Sequence, residues 1–238
     1  MTILELLLLT FKLLTFIWII VNAIAIWNKK NWSKTLSIFY YYSFVTLLIS
    51  LLIHGILIFA SVFAPLLSYF QITNTNAFDF LFYLRNDILL AYFFYLLMTP
   101  RKIAKWILYT GFSLAIYNII NCIVWKGYLN PGIFAPLSDN IFCFVVPAIY
   151  CWILFQEENI VPLRKNPYFW ITMGSLMLAL TTFFYYLTEN YLFQNDEELY
   201  QKLSIGRNFL MMIEQSMYII AFYYAKNTRL LSLSEQNE

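Results

Sequence analysis

The stretch FLFYLRNDILLAYFF, residues 80–94, carries three consecutive polar residues inside a run of phenylalanine, leucine and tyrosine. A helix that crosses a bilayer needs about 20 mostly apolar residues, and the run around this stretch is long enough to supply them. Arg85, Asn86 and Asp87 are costly at such depth, and charged side chains there usually face the interior of a helical bundle or a watered cavity. Because residues two apart face different ways on a helix, we expect Arg85 and Asp87 to point to different neighbours.

The composition of the whole chain indicates a membrane protein. Of 238 residues, 61% are hydrophobic, 21% are aromatic and only 12% are charged. Soluble domains average about 25% charged residues, so this chain lacks the polar surface that a soluble domain needs. Only 6 glycines and 7 prolines interrupt the sequence, which favours long helices. We therefore expect an all-α integral membrane protein that forms a single transmembrane domain over residues 1–238.

Seven apolar stretches are long enough to span a bilayer, and polar or proline-containing linkers separate them. We place them near residues 3–27, 35–63, 78–98, 103–124, 138–155, 167–189 and 203–226, followed by a short cytoplasmic tail at 227–238. Pro147 predicts a kink in the fifth span. The first span lacks the basic start and the cleavage site of a signal peptide, so we expect it to remain as the first helix.

Lysine and arginine are distributed unevenly among the linkers, and this bias predicts orientation because cytoplasmic loops carry more of them. The second, fourth and sixth linkers hold only Lys126 and Lys202. The other linkers and the tail hold a larger set: Lys29, Lys30, Lys34, Arg101, Lys102, Lys105, Arg164, Lys165, Lys226 and Arg229. We therefore expect the N-terminus outside the cell and the C-terminus in the cytoplasm.

This orientation places nearly all ionisable residues of the spans in the outer half of the membrane. Glu5 and Lys12 are seven residues apart, as are Arg207 and Glu214, so each pair is expected to form an inward stripe on one helical face. Two interpretations stay open: an outward-facing pocket that binds a ligand, or charged contacts that only set the register of neighbouring helices. The candidate pocket residues are Lys12, His54, Arg85, Asn86, Asp87, Asn121, Arg207, Glu214 and Gln215.

Signals for catalysis, metals and cofactors are weak. The chain has 3 cysteines and 1 histidine, and their spacing fits no metal or redox motif. It contains no phosphate-binding glycine loop, HExxH or GxSxG motif. The last span reads FLMMIEQSMYII at residues 209–220, without a lysine for retinal. We predict no cofactor and no metal, and an enzyme only if His54 and Asp87 form an acid–base pair at the outer leaflet.

The stretch RKNPYFWITMGSLMLALTTFFYYLTEN, residues 164–190, opens the sixth span. Its N-P-x-F-W-I-x-x-G pattern resembles the start of a span in small seven-helix proteins of bacteria, which are similar to sensor modules that accompany histidine kinases. The resemblance covers this stretch directly and the seven-span plan more loosely. It implies a sensory role in a bacterial inner membrane, and it assigns no site residue.

Two functions fit these features. The first is a sensor or receptor-like protein, whose partners are a small polar or amphiphilic ligand from the outer side and a separate cytoplasmic signalling protein. The second is a small-solute or proton-coupled transporter. Arg85-Asn86 and Arg207-Asn208 lie at similar depths in the third and seventh spans, as a three-plus-one-plus-three arrangement of helices would require. The lipid bilayer is an expected partner in both, and the net charge of +2 is too small to indicate nucleic acid in either.

Overall fold

The described residues of the chain, in a computed structural model, are 2–69, 78–98, 101–124, 134–156 and 162–225. They form helices and no strand, which confirms the all-α class. A π-helical segment, Asn86–Leu90, joins α4 to α5, and a turn at Phe59 separates α2 from α3. The helices are α1 (Ile3–Trp27), α2 (Lys34–Ile58), α3 (Ala60–Tyr69), α4 (Asp79–Arg85), α5 (Ala91–Leu97), α6 (Arg101–Ile123), α7 (Phe134–Gln156), α8 (Pro167–Asn195) and α9 (Glu197–Tyr223).

Polar side chains determine where several of the long helices begin, because they accept hydrogen bonds from backbone N–H groups that the first turn leaves free. Thr2 and Glu5 form a capping box at α1: Thr2 Oγ1 accepts from the Glu5 N–H at 3.2 Å, and Glu5 Oε2 accepts from the Thr2 N–H at 2.8 Å. Ser33, Asn166 and Asp196 cap α2, α8 and α9 in the same way. The linkers between the apolar runs therefore carry the start signals of the helices.

In the described part of the chain, six continuous helical stretches are long and apolar enough to cross a membrane, one of them formed by α4, the π-helical segment and α5 together. They overlap the first six predicted spans and lie at Glu5–Trp27, Lys34–Ile58, Asp79–Leu97, Arg101–Ile123, Phe134–Gln156 and Pro167–Thr188. The seventh predicted span, 203–226, falls largely in α9, whose hydropathy is lowered by Arg207, Asn208, Glu214 and Gln215. The described chain is thus a helical bundle with the six long apolar helices of a multi-pass membrane protein, and the predicted tail at 227–238 lies outside the described residues.

The helix ends differ from the predicted spans by several residues. The second predicted span continued to residue 63, whereas α2 ends at Ile58. The helix α9 begins at Glu197 rather than 203, because acidic residues in a first turn are favoured by the helix dipole. Hydropathy marks the apolar part of a helix and not its hydrogen-bonded ends. Pro147 lies inside α7, and its kink stays a prediction.

Long helices that follow one another along the chain run in opposite directions. The first residues of α1, α4, α7 and α9 therefore lie at the same end as the last residues of α2 and α8, and we call this the N-terminal end. Cross-helix hydrogen bonds show the pairing: Asn208 on α9 donates to Thr10 on α1 at 2.9 Å, and the hydroxyls of Tyr185 on α8 and Ser204 on α9 are 3.1 Å apart. The helix α9 packs between α1 and α8, while α6 packs on α4, α5 and the π-helical segment.

Five fully buried aromatic side chains close the bundle beyond its middle, on the side away from the N-terminal end. We call Phe39, Phe93, Phe94, Tyr218 and Phe222 the aromatic layer. The ring of Phe39 lies 4.9 Å from that of Tyr218 and 5.2 Å from that of Phe93. Between membrane helices, close van der Waals packing of this kind holds the elements together, since lipid tails are as apolar as the side chains.

The outer surface of the bundle is apolar. Phe16, Trp106, Trp152 and Phe184 are 58%, 64%, 67% and 69% exposed and lie on four different helices. Large apolar surfaces of this extent mark contact with a membrane or a partner. Polar residues are found inside instead, and they line the cavity described next.

Candidate functional site

A cavity of about 230 Å³ occupies the half of the bundle nearest the N-terminal end. Side chains from α1, α2, α4, the π-helical segment, α7, α8 and α9 line it. Along α9 the lining runs from Tyr200 to Gln215, which is about 22 Å at 1.5 Å per residue. Beyond Gln215, Tyr218 and Phe222 of the aromatic layer fill the interior. The cavity therefore extends toward one end of the bundle and is closed at the other.

Arg85 lies in the wall of this cavity and is half-buried. One terminal nitrogen donates to Thr46 Oγ1 at 2.6 Å, and the other donates to Asn86 Oδ1 at 2.5 Å. The guanidinium carbon lies 4.2 Å from the centre of the Tyr42 ring and 5.3 Å from that of Phe82. A cation over an aromatic face is stabilised by the ring quadrupole. Arg85 is thus held by neutral oxygens and aromatic rings, and not by a carboxylate.

The π-helical segment begins directly after Arg85 and redirects the chain. Such segments occur often at functional sites because the extra residue per turn reorients the side chains around it. Here Asn86 faces the cavity, whereas Asp87 is fully buried against α6 and accepts from Asn118 Nδ2 at 2.7 Å. Gly111 on α6 permits this close approach, since an added Cβ would collide with the backbone oxygen of Asp87. As expected, Arg85 and Asp87 have different neighbours.

Asn86 connects Arg85 to an acidic residue on another helix. Its Oδ1 accepts from Arg85 and also from the Tyr42 hydroxyl at 3.2 Å, while its Nδ2 donates to Asp139 Oδ2 at 2.9 Å. Asp139 is buried on α7, and the thiol of Cys143 is 3.9 Å from its Oδ1. The amide therefore lies between a basic and an acidic side chain that both line the cavity.

The deep part of the cavity is lined by α9. The Tyr218 hydroxyl donates to Glu214 Oε1 and lies 3.2 Å from Ser175 Oγ. In the amide orientation that satisfies both neighbours, Gln215 accepts from Trp18 Nε1 at 2.8 Å and donates to the Leu14 carbonyl at 3.2 Å. These bonds tie the buried polar face of α9 to α1 and α8 and place a carboxyl group near the bundle middle.

Arg207 lies two turns above Glu214 on the same face of α9. Its guanidinium carbon is 4.2 Å from the centre of the Tyr185 ring, which belongs to α8. Met211 lies between the two on this face and also lines the cavity. The cavity therefore offers guanidinium, carboxyl, amide and hydroxyl groups beside aromatic rings, a combination that suits a small ligand with polar and apolar parts.

The structure brings together five of the residues that the sequence analysis named. They share the cavity wall and are Arg85, Asn86, Arg207, Glu214 and Gln215. The other four do not line it. Lys12 is exposed and Asn121 is half-buried on α6, while Asp87 faces Asn118. His54 Nδ1 lies 3.1 Å from both Thr15 Oγ1 and the Ser50 carbonyl, and its ring stacks on Phe11 at 4.6 Å.

Two expectations from the sequence need correction. Glu5 and Lys12 do not form an inward stripe, because both are exposed and Glu5 bonds to Thr2 at the helix start. His54 and Asp87 do not form an acid–base pair, since their hydrogen-bond partners lie on different sides of the bundle.

Several lining residues were not in the candidate set. Asp139 and Asn140 are consecutive polar residues in an apolar helix, the same signal that identified Arg85 and Asn86. Tyr42 also lines the cavity, and it is buried beneath Arg85. No sequence signal distinguishes it, because three tyrosines follow one another at 40–42 and only contact with α4 selects one of them.

Within the described ranges, no group of three or more His, Cys, Asp or Glu side chains could hold a metal ion. Cys122, Cys143 and Cys151 are free thiols. Comparison of the chain with protein-family models, with curated proteins and with solved structures finds no match. What the fold and site define is a class: an all-helical bundle with six apolar helices of membrane-spanning length and a polar cavity in one half.

Proposed function

We propose that this chain is a seven-helix, receptor-like membrane protein that binds a small polar or amphiphilic ligand in its cavity. The ligand enters from the outer side, and the bundle signals through a separate cytoplasmic protein. The observation that carries this proposal is the one-sided cavity, which polar groups of α1, α2, α4, the π-helical segment, α7, α8 and α9 line and the aromatic layer closes. A cavity of this form is suited to binding without passage.

The surface of α9 supports its assignment as the seventh span. Its polar residues Asn208, Glu214 and Gln215 are at most 3% exposed, whereas Phe209 and Ile213 are 51% and 44% exposed. A helix with this distribution meets lipid with an apolar face, although its mean hydropathy is low. Polar groups in membrane helices are tolerated when they face the bundle interior, as here.

The distribution of basic residues supports an orientation with the N-terminus outside. Of the nine described lysine and arginine residues that the sequence assigns to linkers, eight are exposed at the end of the bundle opposite the cavity: Lys29, Lys30, Lys34, Arg101, Lys102, Lys105, Arg164 and Lys165. Lys202, near the start of α9, is the exception and pairs with Glu198. Cytoplasmic loops are enriched in such residues. The cavity then faces outward, and the basic end is available to anionic lipid or to an acidic surface of a signalling partner.

Arg85 provides a route from ligand binding to a change in the bundle. Its hydrogen bonds go to the neutral oxygens of Thr46 and Asn86, which a ligand oxygen can replace. Replacement would free Asn86 from Arg85 and alter its contact with Asp139 on α7. A ligand shifts the equilibrium between two helix arrangements only if it binds them with different affinity, and these exchangeable bonds supply such a difference.

A transporter is the second candidate, and one observation favours it. The two Arg-Asn dipeptides both line the cavity, and each guanidinium lies 4.2 Å from a tyrosine ring, Tyr42 on α2 or Tyr185 on α8. This agrees with a duplication that relates the second and third spans to the sixth and seventh. A transporter must also open toward the cytoplasm, and the aromatic layer occupies that route.

Labelling of Cys143 tests the proposal, because this thiol lines the cavity. In a Cys122→Ser, Cys151→Ser protein, a membrane-impermeant methanethiosulfonate is applied to intact cells and, separately, to inverted membrane vesicles. We expect Cys143 to react in cells and not in inverted vesicles. The matched control keeps Cys151 alone, which is buried two turns farther along α7 and is expected to resist the reagent from both sides.

The result distinguishes the interpretations. Reaction from the outside only supports an outward-facing cavity, and reaction from both sides supports a transporter that alternates between two openings. Absence of reaction from either side means that the polar residues form a closed plug, and this contradicts the proposal. Reaction from the cytoplasmic side only overturns the orientation.

A further inference from the structure

Asp87 is the buried acidic residue that the proposed function does not use. Its side chain is 0% exposed, and its partner Asn118 on α6 is 2% exposed. Asn118 Nδ2 donates to Asp87 Oδ2 at 2.7 Å. The other two oxygens of this pair, Asp87 Oδ1 and Asn118 Oδ1, have no hydrogen-bond partner among the described residues.

Two buried acceptors without a donor are unfavourable, because each has lost its hydration without compensation. Both orphaned oxygens belong to side chains that already share one hydrogen bond. A carboxylic acid and a primary amide are complementary, since each carries one donor beside one acceptor. One proton on Asp87 Oδ1, donated to Asn118 Oδ1, would satisfy both oxygens and complete a ring of two hydrogen bonds.

We propose that Asp87 and Asn118 form a proton-binding site, in which Asp87 is a neutral carboxylic acid that holds α6 against the π-helical segment. The proton comes from water and returns to it, so no further reactant is needed. When the proton leaves, the carboxylate Oδ1 and the Asn118 oxygen both lack a donor. The contact of α6 with the rest of the bundle is then weakened.

Among the residues that the structure describes, no cationic side chain bonds to Asp87 in place of the proton. Arg85 on α4 is the adjacent base, but it points into the cavity and bonds to Thr46 and Asn86. The other titratable groups that face this region are acids or neutral donors with partners of their own: Tyr42 on α2, and Asp139 and Cys143 on α7. On α6, Gly111 contributes only its backbone near Asp87.

Infrared spectroscopy of the purified full-length protein tests the site directly. A protonated carboxyl group has a C=O stretching band that a carboxylate lacks. We expect the wild-type protein to show such a band at neutral pH, with part of its intensity lost in Asp87→Asn. The control is Glu198→Gln, which removes an exposed carboxylate that is paired with Lys202 and should leave the band unchanged.

Thermal unfolding of the same proteins gives a second readout. An amide at position 87 can donate to Asn118 Oδ1 and accept from its Nδ2, so Asp87→Asn should melt at the wild-type temperature or above it. Asn118→Ala should melt lower. At alkaline pH the wild-type protein should lose stability relative to Asp87→Asn, because only the wild type has a proton to lose at this position.

Three outcomes overturn the proposal. One is an unchanged carboxyl band in Asp87→Asn. Another is failure of Asp87→Asn to fold, because a neutral mimic of the acid should preserve the pair. The third is a rise in the wild-type melting temperature with sodium or potassium ions that Asp87→Asn does not show, because the orphaned oxygens would then bind a metal cation.

Discussion

Gly111 on α6 allows a quantitative test of how closely this helix must approach the π-helical segment. A Cβ atom added there would lie 2.5 Å from the Cβ of Ala91 and would collide with the Asp87 backbone oxygen. Carbon atoms in favourable contact are about 3.5–4.0 Å apart, so α6 would have to move outward by about 1 Å. A displacement of that size would take the 2.7 Å bond from Asn118 to Asp87 beyond the usual hydrogen-bond range.

Two effects should destabilise Gly111→Ala, and a third should partly compensate for them. Overpacking of a tight contact costs about 1–3 kcal/mol. Loss of the hydrogen bond to the Asp87 carboxyl costs about 1–3 kcal/mol more. Alanine regains about 0.5–1 kcal/mol over glycine in a helix. The free energy of unfolding should therefore fall by about 1–5.5 kcal/mol, measured by circular dichroism during denaturant titration in detergent micelles.

Gly206→Ala is the matched control, because Gly206 is also in the interior of a helix but an added Cβ meets nothing within 4 Å. There the same substitution should stabilise the protein by about 0.4–1 kcal/mol, since it reduces the conformational freedom of the unfolded chain. If Gly111→Ala unfolds at the same denaturant concentration as Gly206→Ala, or at a higher one, the close approach of α6 is not required and the reasoning fails.

Two further substitutions address the cavity by the same assay. Asn86→Ala removes the acceptor for Arg85 and the donor to Asp139, and each group left without its partner should lower the free energy of unfolding by about 1–3 kcal/mol. An unchanged denaturant midpoint would show that Asn86 does not link Arg85 to Asp139 in a way that stabilises the fold. Glu214→Gln keeps an oxygen for the Tyr218 hydroxyl and should stay within about 1 kcal/mol of wild type, whereas Glu214→Ala should lose about 1–3 kcal/mol. An equal loss of stability in Glu214→Gln and Glu214→Ala would show that the hydrogen bond from Tyr218 is not what Glu214 contributes to stability.

A spacing of seven residues correctly predicted one inward-facing pair of charged residues and wrongly predicted another. Arg207 and Glu214 share a face of α9, and both line the cavity. Glu5 and Lys12 have the same spacing on α1, yet both are exposed. Spacing shows that two residues share a face but does not show where that face points. Glu5 finds its partner locally, in Thr2 at the start of the helix, and needs no inward position.

Composition and local pattern were sufficient for the class of the protein. Long apolar runs in a membrane satisfy their backbone groups as helices, so the all-α class and the positions of the six apolar helices, to within several residues, could be predicted. The helix α9 shows the limit of predicting spans from hydropathy. Its hydropathy is low because its polar residues face inward, and an average over a helix does not distinguish an inner face from an outer one.

Only the tertiary structure decided how the polar residues are used. The stretch 80–94 marked a polar inner face, but the π-helical turn sends Asn86 toward the cavity and Asp87 toward α6. Asn86 meets Asp139 across 53 positions of sequence, and Asp87 meets Asn118 across 31. Hydropathy and helical period are local and nearly additive along the chain, whereas a hydrogen bond depends on which distant side chain packing brings within 3 Å of its partner.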